Sequence, residues 1–418
     1  MLVRLYSYIL LLGLSVTISF FVSEVDSKNL LLVGFMAFSP LFLLLEKRRF
    51  DSVDRMMFLF LLMALGVCLI NIGTFRPMSY IYTFCFITSF LFLRDIILKK
   101  GFSQDFIVSF LKRLIYAYGI VFIAQQACVL MGSSPILAAA HDYESPWKLP
   151  SLTPEPSHLA RFLFFIMYTY IVLKEEKMDH RYRLKDAMYE KKIWALYFWM
   201  MLTCQSTTAL LFVFLIFGRY LRVKTIISFG CITGLILVVI ISVFGDNDAF
   251  KRILELGPAL LTLSPDEINA ADHSAAHRIL PFFVFLQWLN PATIGFWLGN
   301  GMDYGVNWCR DYMYMISGDG NYLGDTTNMG GITIMFVDYG IIAMGVLIHS
   351  LYKIFRNIPD RFYVVCWIFV NFFSTVNTQI FWFSLLLALI LATYKDNDNN
   401  RLRNKKLVLR FKDKDYTN

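Results

Sequence analysis

The sequence predicts an all-α polytopic membrane protein of about twelve transmembrane helices, and three observations carry that reading. Of the 418 residues, 57% are hydrophobic and 17% charged, where a soluble domain carries roughly a quarter charged residues. Apolar runs of about 17–25 residues recur along nearly the whole chain, each sufficient for a hydrocarbon core of roughly 30 Å. No segment alternates apolar and polar residues with the period of two that a membrane β-barrel requires.

Spans are expected near 5–22, 29–45, 57–72, 79–97, 114–132, 158–173, 193–204, 207–218, 225–244, 331–350, 362–376 and 378–394. The first run follows Arg4, but Phe20, Phe21 and Val22 occupy the place where a signal peptide needs small residues, so it is read as an uncleaved span. Orientation follows from the basic residues. With the N-terminus cytoplasmic, 31 of the 39 Lys and Arg fall in cytoplasmic segments and 8 in outer ones. That bias requires an even number of spans and both termini inside. It also requires two short helices over 193–218, turning at Gln205–Ser206, because a single span would place Arg219, Arg222 and Lys224 outside. Residues 1–394 thus form one membrane domain, and 395–418 form a basic cytoplasmic tail suited to anionic lipid rather than nucleic acid.

Two outer loops are expected, 133–157 and the long penultimate loop 245–330, with Ser151 and Asn269 as their exposed positions. The long loop contains interfacial helical segments: Arg278 heads an apolar run over 279–289 that is too short to span, and Trp288, Trp297 and Trp308 suit headgroup depth. The outer segments hold 15 acidic residues against 8 basic ones, so an outer arginine beside an apolar run has a strong claim to a specific anion. Six of the seven cysteines lie in spans and only Cys309 lies outside, which excludes an intramolecular outer disulfide. No cysteine–histidine spacing suggests zinc and no phosphate-binding loop is present, so neither a metal nor another cofactor is expected.

The densest group of reactive side chains is Glu155-Pro156-Ser157-His158-Leu159-Ala160-Arg161, at the outer start of the sixth span. Pro156 suits a first helical turn. Glu155, His158 and Arg161 follow at steps of three and share a face. A helix start offers free N–H groups and a positive dipole end, and an arginine one turn deeper adds a bidentate donor for phosphate. His277 and Arg278 form a second candidate anion site, and Arg310 is a further outer cation. Gly299-Asn300-Gly301-Met302-Asp303-Tyr304-Gly305 reads as a turn returning the chain from the interface. Asp325, before the tenth span, is a candidate base or helix cap. Asp338 is the one acid well inside a span, either functional or a structural partner of Gln205, Ser206 or Asn371.

In this order, these residues resemble the Wzy/WaaL group of O-antigen and capsular polysaccharide polymerases and ligases. The resemblance covers most of the chain: the proline-rich Glu155-Pro156-Ser157, the polar break Thr203-Cys204-Gln205-Ser206-Thr207, the long loop with Arg278 and Gly299-x-Gly301, and the span carrying Asp338-Tyr339-Gly340. Two positions depart from the group. The break carries no arginine, and Thr327-Asn328 stands where ligases often have His-Asn. The resemblance implies a metal-independent glycosyltransferase in the bacterial inner membrane. Its donor and acceptor would be undecaprenyl-diphosphate-linked oligosaccharides, with a chain-length regulator protein as a further partner. Glu155, His158 and Asp325 are the expected catalytic residues, and Arg161, Arg278, His277 and Arg310 the expected substrate ligands. A ligase of the same group is the alternative within the family. A lipid-linked-oligosaccharide flippase is the alternative outside it, and would place polar residues at midplane in two related halves.

Overall fold

The computed structural model describes residues 2–17, 30–45, 50–73, 77–137, 146–178, 180–219, 248–262, 264–271, 289–305 and 331–394, with scattered positions between 276 and 286. Among these residues every regular element is helical. In chain order they are α1 (Leu2–Ser15), α2 (Leu30–Met36), α3 (Ser39–Leu45), α4 (Ser52–Ile70), α5 (Pro77–Leu98), α6 (Gln104–Leu130), α7 (Pro156–Met178), α8 (Leu184–Tyr189), α9 (Lys191–Thr203), α10 (Thr207–Gly218), α11 (Asp248–Thr262), α12 (Pro265–Ala271), α13 (Ile294–Leu298), α14 (Gly331–Arg356), α15 (Arg361–Asn371) and α16 (Gln379–Tyr394). Five of them, α4, α5, α6, α7 and α14, are long and apolar enough to cross a membrane.

Local chemistry sets the helix boundaries. The Asp51 carboxylate accepts from the Val53 and Asp54 amides while the Asp54 carboxylate accepts from the Asp51 amide, a reciprocal cap at the start of α4. Ser103 caps α6 through the Phe106 amide at 3.1 Å, so α6 begins ten residues before the apolar run read from the sequence. The run expected as one span over 29–45 is divided at Ala37–Phe38 into α2 and α3. Pro40 supplies the reason, since it cannot donate to the Met36 carbonyl. Residues 193–218 form the anticipated hairpin. Gln205 takes a positive φ of 45° between α9 and α10, and Arg219 returns to Glu175 near the end of α7 at 2.5 Å. The expected span 225–244 lies outside the described residues.

The helices surround α7, whose apolar window is 83% buried against 44% for α4 and α6. It packs on α16, α10 and α6, and α16 also packs on α5, α1 and α15. Ion pairs collect at one end of the bundle. There Arg94 bridges Asp54 (3.0 Å) and Asp51 (2.5 Å), Lys177 meets Asp105 at 2.7 Å, and Tyr168 donates to Asp360 at 3.0 Å. Tyr394 of α16 donates to the Phe102 carbonyl, and Tyr8 of α1 lies against Phe102 and Phe106, so the first helix starts and the last one finishes at this charged end. Glu190 is the hub of a further group there, accepting from Tyr170 (2.7 Å), Tyr182 (2.8 Å) and Lys174 (2.8 Å). Burial alone would raise its pKa, but these donors outweigh burial and hold the carboxyl below the usual carboxylate range.

Candidate functional site

The candidate site lies at the opposite end, where α7 begins. Pro156 is its first residue, as its missing N–H favours. The chain reaches Pro156 through a buried strap. Leu149, Ser151 and Thr153 are at most 1% exposed, so Ser151 is not the surface position expected from the sequence. The strap sits inside because its polar groups are satisfied by the Gln125 side chain and the Tyr118 carbonyl of α6. Gln125 accepts from the Ser151 amide (2.8 Å) and donates to the Ser151 carbonyl (3.1 Å), and the Ser151 hydroxyl donates to the Tyr118 carbonyl (2.6 Å). Tyr118 donates in turn to the Ser15 carbonyl (2.7 Å) and the Thr17 amide to the Leu152 carbonyl (3.1 Å), which joins the end of α1 to the same strap. An amide side chain in the last turns of a long helix gave no hint in the sequence that it served a loop 26 residues away.

The Thr153 hydroxyl contacts the Pro150 (2.6 Å) and Glu155 (2.9 Å) carbonyls and holds the approach to α7. Ser157 donates to the Glu155 carboxylate at 3.2 Å. The His158 and Leu159 amides both donate to the Glu155 carbonyl at 3.1 Å. The Leu159 bond is the first regular one of the helix, so the His158 amide is the first-turn donor that the Glu155 carbonyl takes up, and the dipole and Arg161 remain at the helix start. Arg161 follows one turn deeper and is only 7% exposed on an otherwise apolar stretch. Glu155 and His158 are half-buried beside it in the chain, and all three take part in further interactions. The next residue, Phe162, stacks on Phe383 of α16 at 5.5 Å. Above that stack, Gln379 donates to the Gly13 (2.9 Å) and Val16 (3.1 Å) carbonyls of α1. The start of α7 is thus framed by α1, α6 and α16. Asp325, His277, Arg278 and Arg310 lie outside the described residues.

A second polar node occupies α14. Its helix is broken at Gly340, with φ 71° and ψ 170°, and the 299–305 turn docks on the break. The Asp338 carboxylate accepts from the Asp303 (3.1 Å) and Gly305 (2.6 Å) amides, and the Asp338 carbonyl from the Gly301 amide (3.1 Å). Asn300 donates its backbone and side-chain N–H groups to the Val337 carbonyl, at 3.1 and 3.0 Å, and Ser79 of α5 donates to Asp303 at 2.5 Å. Asp338 is thereby a clamp for the loop rather than a partner of Gln205, Ser206 or Asn371. Asn371 instead donates to Ser384 at 3.2 Å and the Trp367 carbonyl at 3.0 Å. The glycines explain the docking, since a Cβ on Gly299 would lie 2.3 Å from the Asp338 carbonyl oxygen.

Among the described residues, no cluster of three or more His, Cys, Asp and Glu side chains could hold a metal. Comparison with known proteins finds no matching family model, no matching curated protein and no matching solved structure.

Proposed function

We propose that the chain is a polysaccharide polymerase of the bacterial inner membrane, with about twelve spans, both termini cytoplasmic and the start of α7 on the periplasmic side. The observation that carries this reading is Arg161, buried one turn inside α7 next to Glu155 and His158, at the end of the bundle opposite the ion-pair clusters. A lipid-linked sugar diphosphate brings an apolar tail for the bundle and a diphosphate for an arginine. In the reaction, a hydroxyl of the acceptor glycan attacks the anomeric carbon of the donor. The new C–O bond forms as the bond to the diphosphate oxygen breaks, the hydroxyl proton passes to Glu155, His158 or Asp325, and the lipid diphosphate leaves with its charge stabilised by Arg161 and Arg278. His277 and Arg310 complete the proposed anion contacts. The chain needs no cofactor for this displacement, and a chain-length regulator is the protein partner it would meet.

In a knockout complemented at matched protein level, Arg161→Lys is expected to lower long-chain surface polysaccharide roughly ten- to a hundredfold. Lysine keeps the charge but loses the planar fork, and a lost charge-assisted contact is worth about 1.5–3 kcal/mol. Normal chains from Arg161→Lys and Arg278→Lys would rule out the diphosphate clamp. Free long chains left unattached in the knockout would point to the ligase, and repeat units trapped on the cytoplasmic side to the flippase.

Topology is tested separately with a single cysteine at Ser134, which is exposed where Ser151 is buried. In a background without Cys309, an impermeant thiol reagent is expected to label it in intact cells whose outer membrane admits the reagent. Labelling only after lysis would invert the orientation.

A further inference from the structure

The corner between α8 and α9 separates its charges in a way that the proposed reaction does not use. Residues 180–192 hold five Lys and Arg against two acids, and both acids turn inward. Glu190, its side chain 15% exposed, is taken up by Tyr170, Tyr182 and Lys174. Asp186, 19% exposed, accepts from the Arg183 amide at 2.7 Å. Lys185, Lys191 and Lys192 are exposed and make no ion pair among the described residues. Between these lysines, Met188 and Tyr189 are 68% and 90% exposed. The depth of the corner follows from its neighbours. The apolar run of α7 ends at Leu173, and Glu190 bonds Tyr170 and Lys174, one on each side of that end. Gly119 of α6 abuts Leu196 of α9, and Trp199 donates to Gln126 at 2.9 Å, so these two helices run the same way. Lys112 and Arg113 of α6, both exposed, then fall within about one turn of the level of Lys191 and Lys192. On each helix the apolar run begins at the next residue, 114 on α6 and 193 on α9. Cations from two helices thus mark one level, where the apolar surface stops, and Tyr189 stands among them.

We propose that the α8–α9 corner is a docking surface for anionic phospholipid, with Lys185, Lys191 and Lys192 on the lipid phosphates and the Met188 and Tyr189 side chains sunk between the headgroups. Charge complementarity selects the partner, because the exposed lysines face outward without acids of their own while the acids of the same segment are spent inside the protein. The apolar pair selects a lipid surface over a soluble acidic partner. A tyrosine ring, apolar in body and polar at its tip, suits headgroup depth, and that is the level its neighbours give it. This contact holds in either orientation of the chain and does not depend on the polymerase reading.

The test uses the full-length chain with Cys128, Cys231 and Cys309 replaced by serine, the other four of its seven cysteines being buried. Tyr189→Cys is labelled with an environment-sensitive nitrobenzoxadiazole probe and reconstituted in vesicles of equal parts phosphatidylcholine and phosphatidylglycerol, with bromine carried by one lipid class or the other. Brominated phosphatidylglycerol is expected to quench the probe at least about threefold more than brominated phosphatidylcholine. Replacing Lys185, Lys191 and Lys192 together with glutamine is expected to bring the two lipids to equality. High salt with the lysines intact is expected to do the same, which separates lost charge from a damaged fold. Equal quenching by the two lipids in the chain with its lysines intact would overturn the proposal, as would a preference that survives both treatments. Emission at the probe's wavelength in water, with no quenching by either lipid, would overturn it by placing the corner in solution. Blue-shifted emission without bromine quenching would overturn it by showing that protein covers the corner.

Discussion

Gly340→Ala is expected to destabilise the protein by about 3 kcal/mol or more. Two costs add. The backbone at Gly340, with φ 71° and ψ 170°, lies in a region that residues with a Cβ scarcely enter. The added Cβ would also lie 2.3 Å from the Gly299 amide nitrogen and 2.5 Å from the Trp297 carbonyl oxygen, both backbone atoms with no rotamer to escape into. The 299–305 turn would have to lift from α14, and the amides that satisfy the buried Asp338 carboxylate would leave with it. Gly345, five residues on, provides the control. It is helical and exposed with nothing within 4 Å of a new Cβ, so Gly345→Ala should be neutral or stabilising by about 0.5 kcal/mol. Thermal unfolding of the two variants in one detergent measures the contrast. Equal midpoints would show that the break at Gly340 does not hold the loop.

The second large effect is expected at Arg94. Its guanidinium lies 3.0 Å from Asp54 and 2.5 Å from Asp51, with the side chains of Arg94 and Asp54 only 8% and 1% exposed. Arg94→Met leaves the Asp54 carboxylate buried without its cation, a loss of about 3–5 kcal/mol. Partial burial pushes the Asp51 carboxyl's pKa up, and hydrogen bonds from Arg94 and from the Asp54 and Val53 amides more than reverse it, to below the usual carboxylate range. Asp51 also caps α4, so its charge serves two structures. Pairing Arg94→Met with Asp54→Asn removes both the buried cation and the buried anion while keeping an acceptor for the Asp51 amide. The double variant should therefore unfold above the temperature of Arg94→Met alone. Additive losses would mean that the arginine contributes only its packing.

The sequence shows what depends on period and composition. The long apolar helices, Pro156 at a helix start and the turn at Gln205–Ser206 are all readable from hydropathy, proline chemistry and the distribution of basic residues. It conceals what depends on distant pairing. Ser151 sits among prolines and polar residues and reads as exposed loop, yet Gln125 and Tyr118, which bury it, look like ordinary span residues. Asp338 reads as a reactive acid because nothing in its neighbourhood shows that residues 303 and 305 will bring their amides to it. The candidate site was legible as the local triplet Glu155, His158 and Arg161. That the His158 amide folds back on the Glu155 carbonyl was not, because capping geometry follows from the buried strap before it.

The contact of Gln379 with α1 has a consequence for biogenesis. The carbonyls of Gly13 and Val16 are made first as the chain leaves the ribosome, and their donor is synthesised more than 360 residues later. Until α16 is in place, the end of the first helix lacks the donor that occupies these two acceptors in the finished fold. The nascent bundle therefore stays open along the seam between its earliest and latest helices, and insertion of α16 is the event that seals it. A chain arrested before that point leaves the two acceptors of the first helix without the Gln379 side chain that joins them to the last described helix.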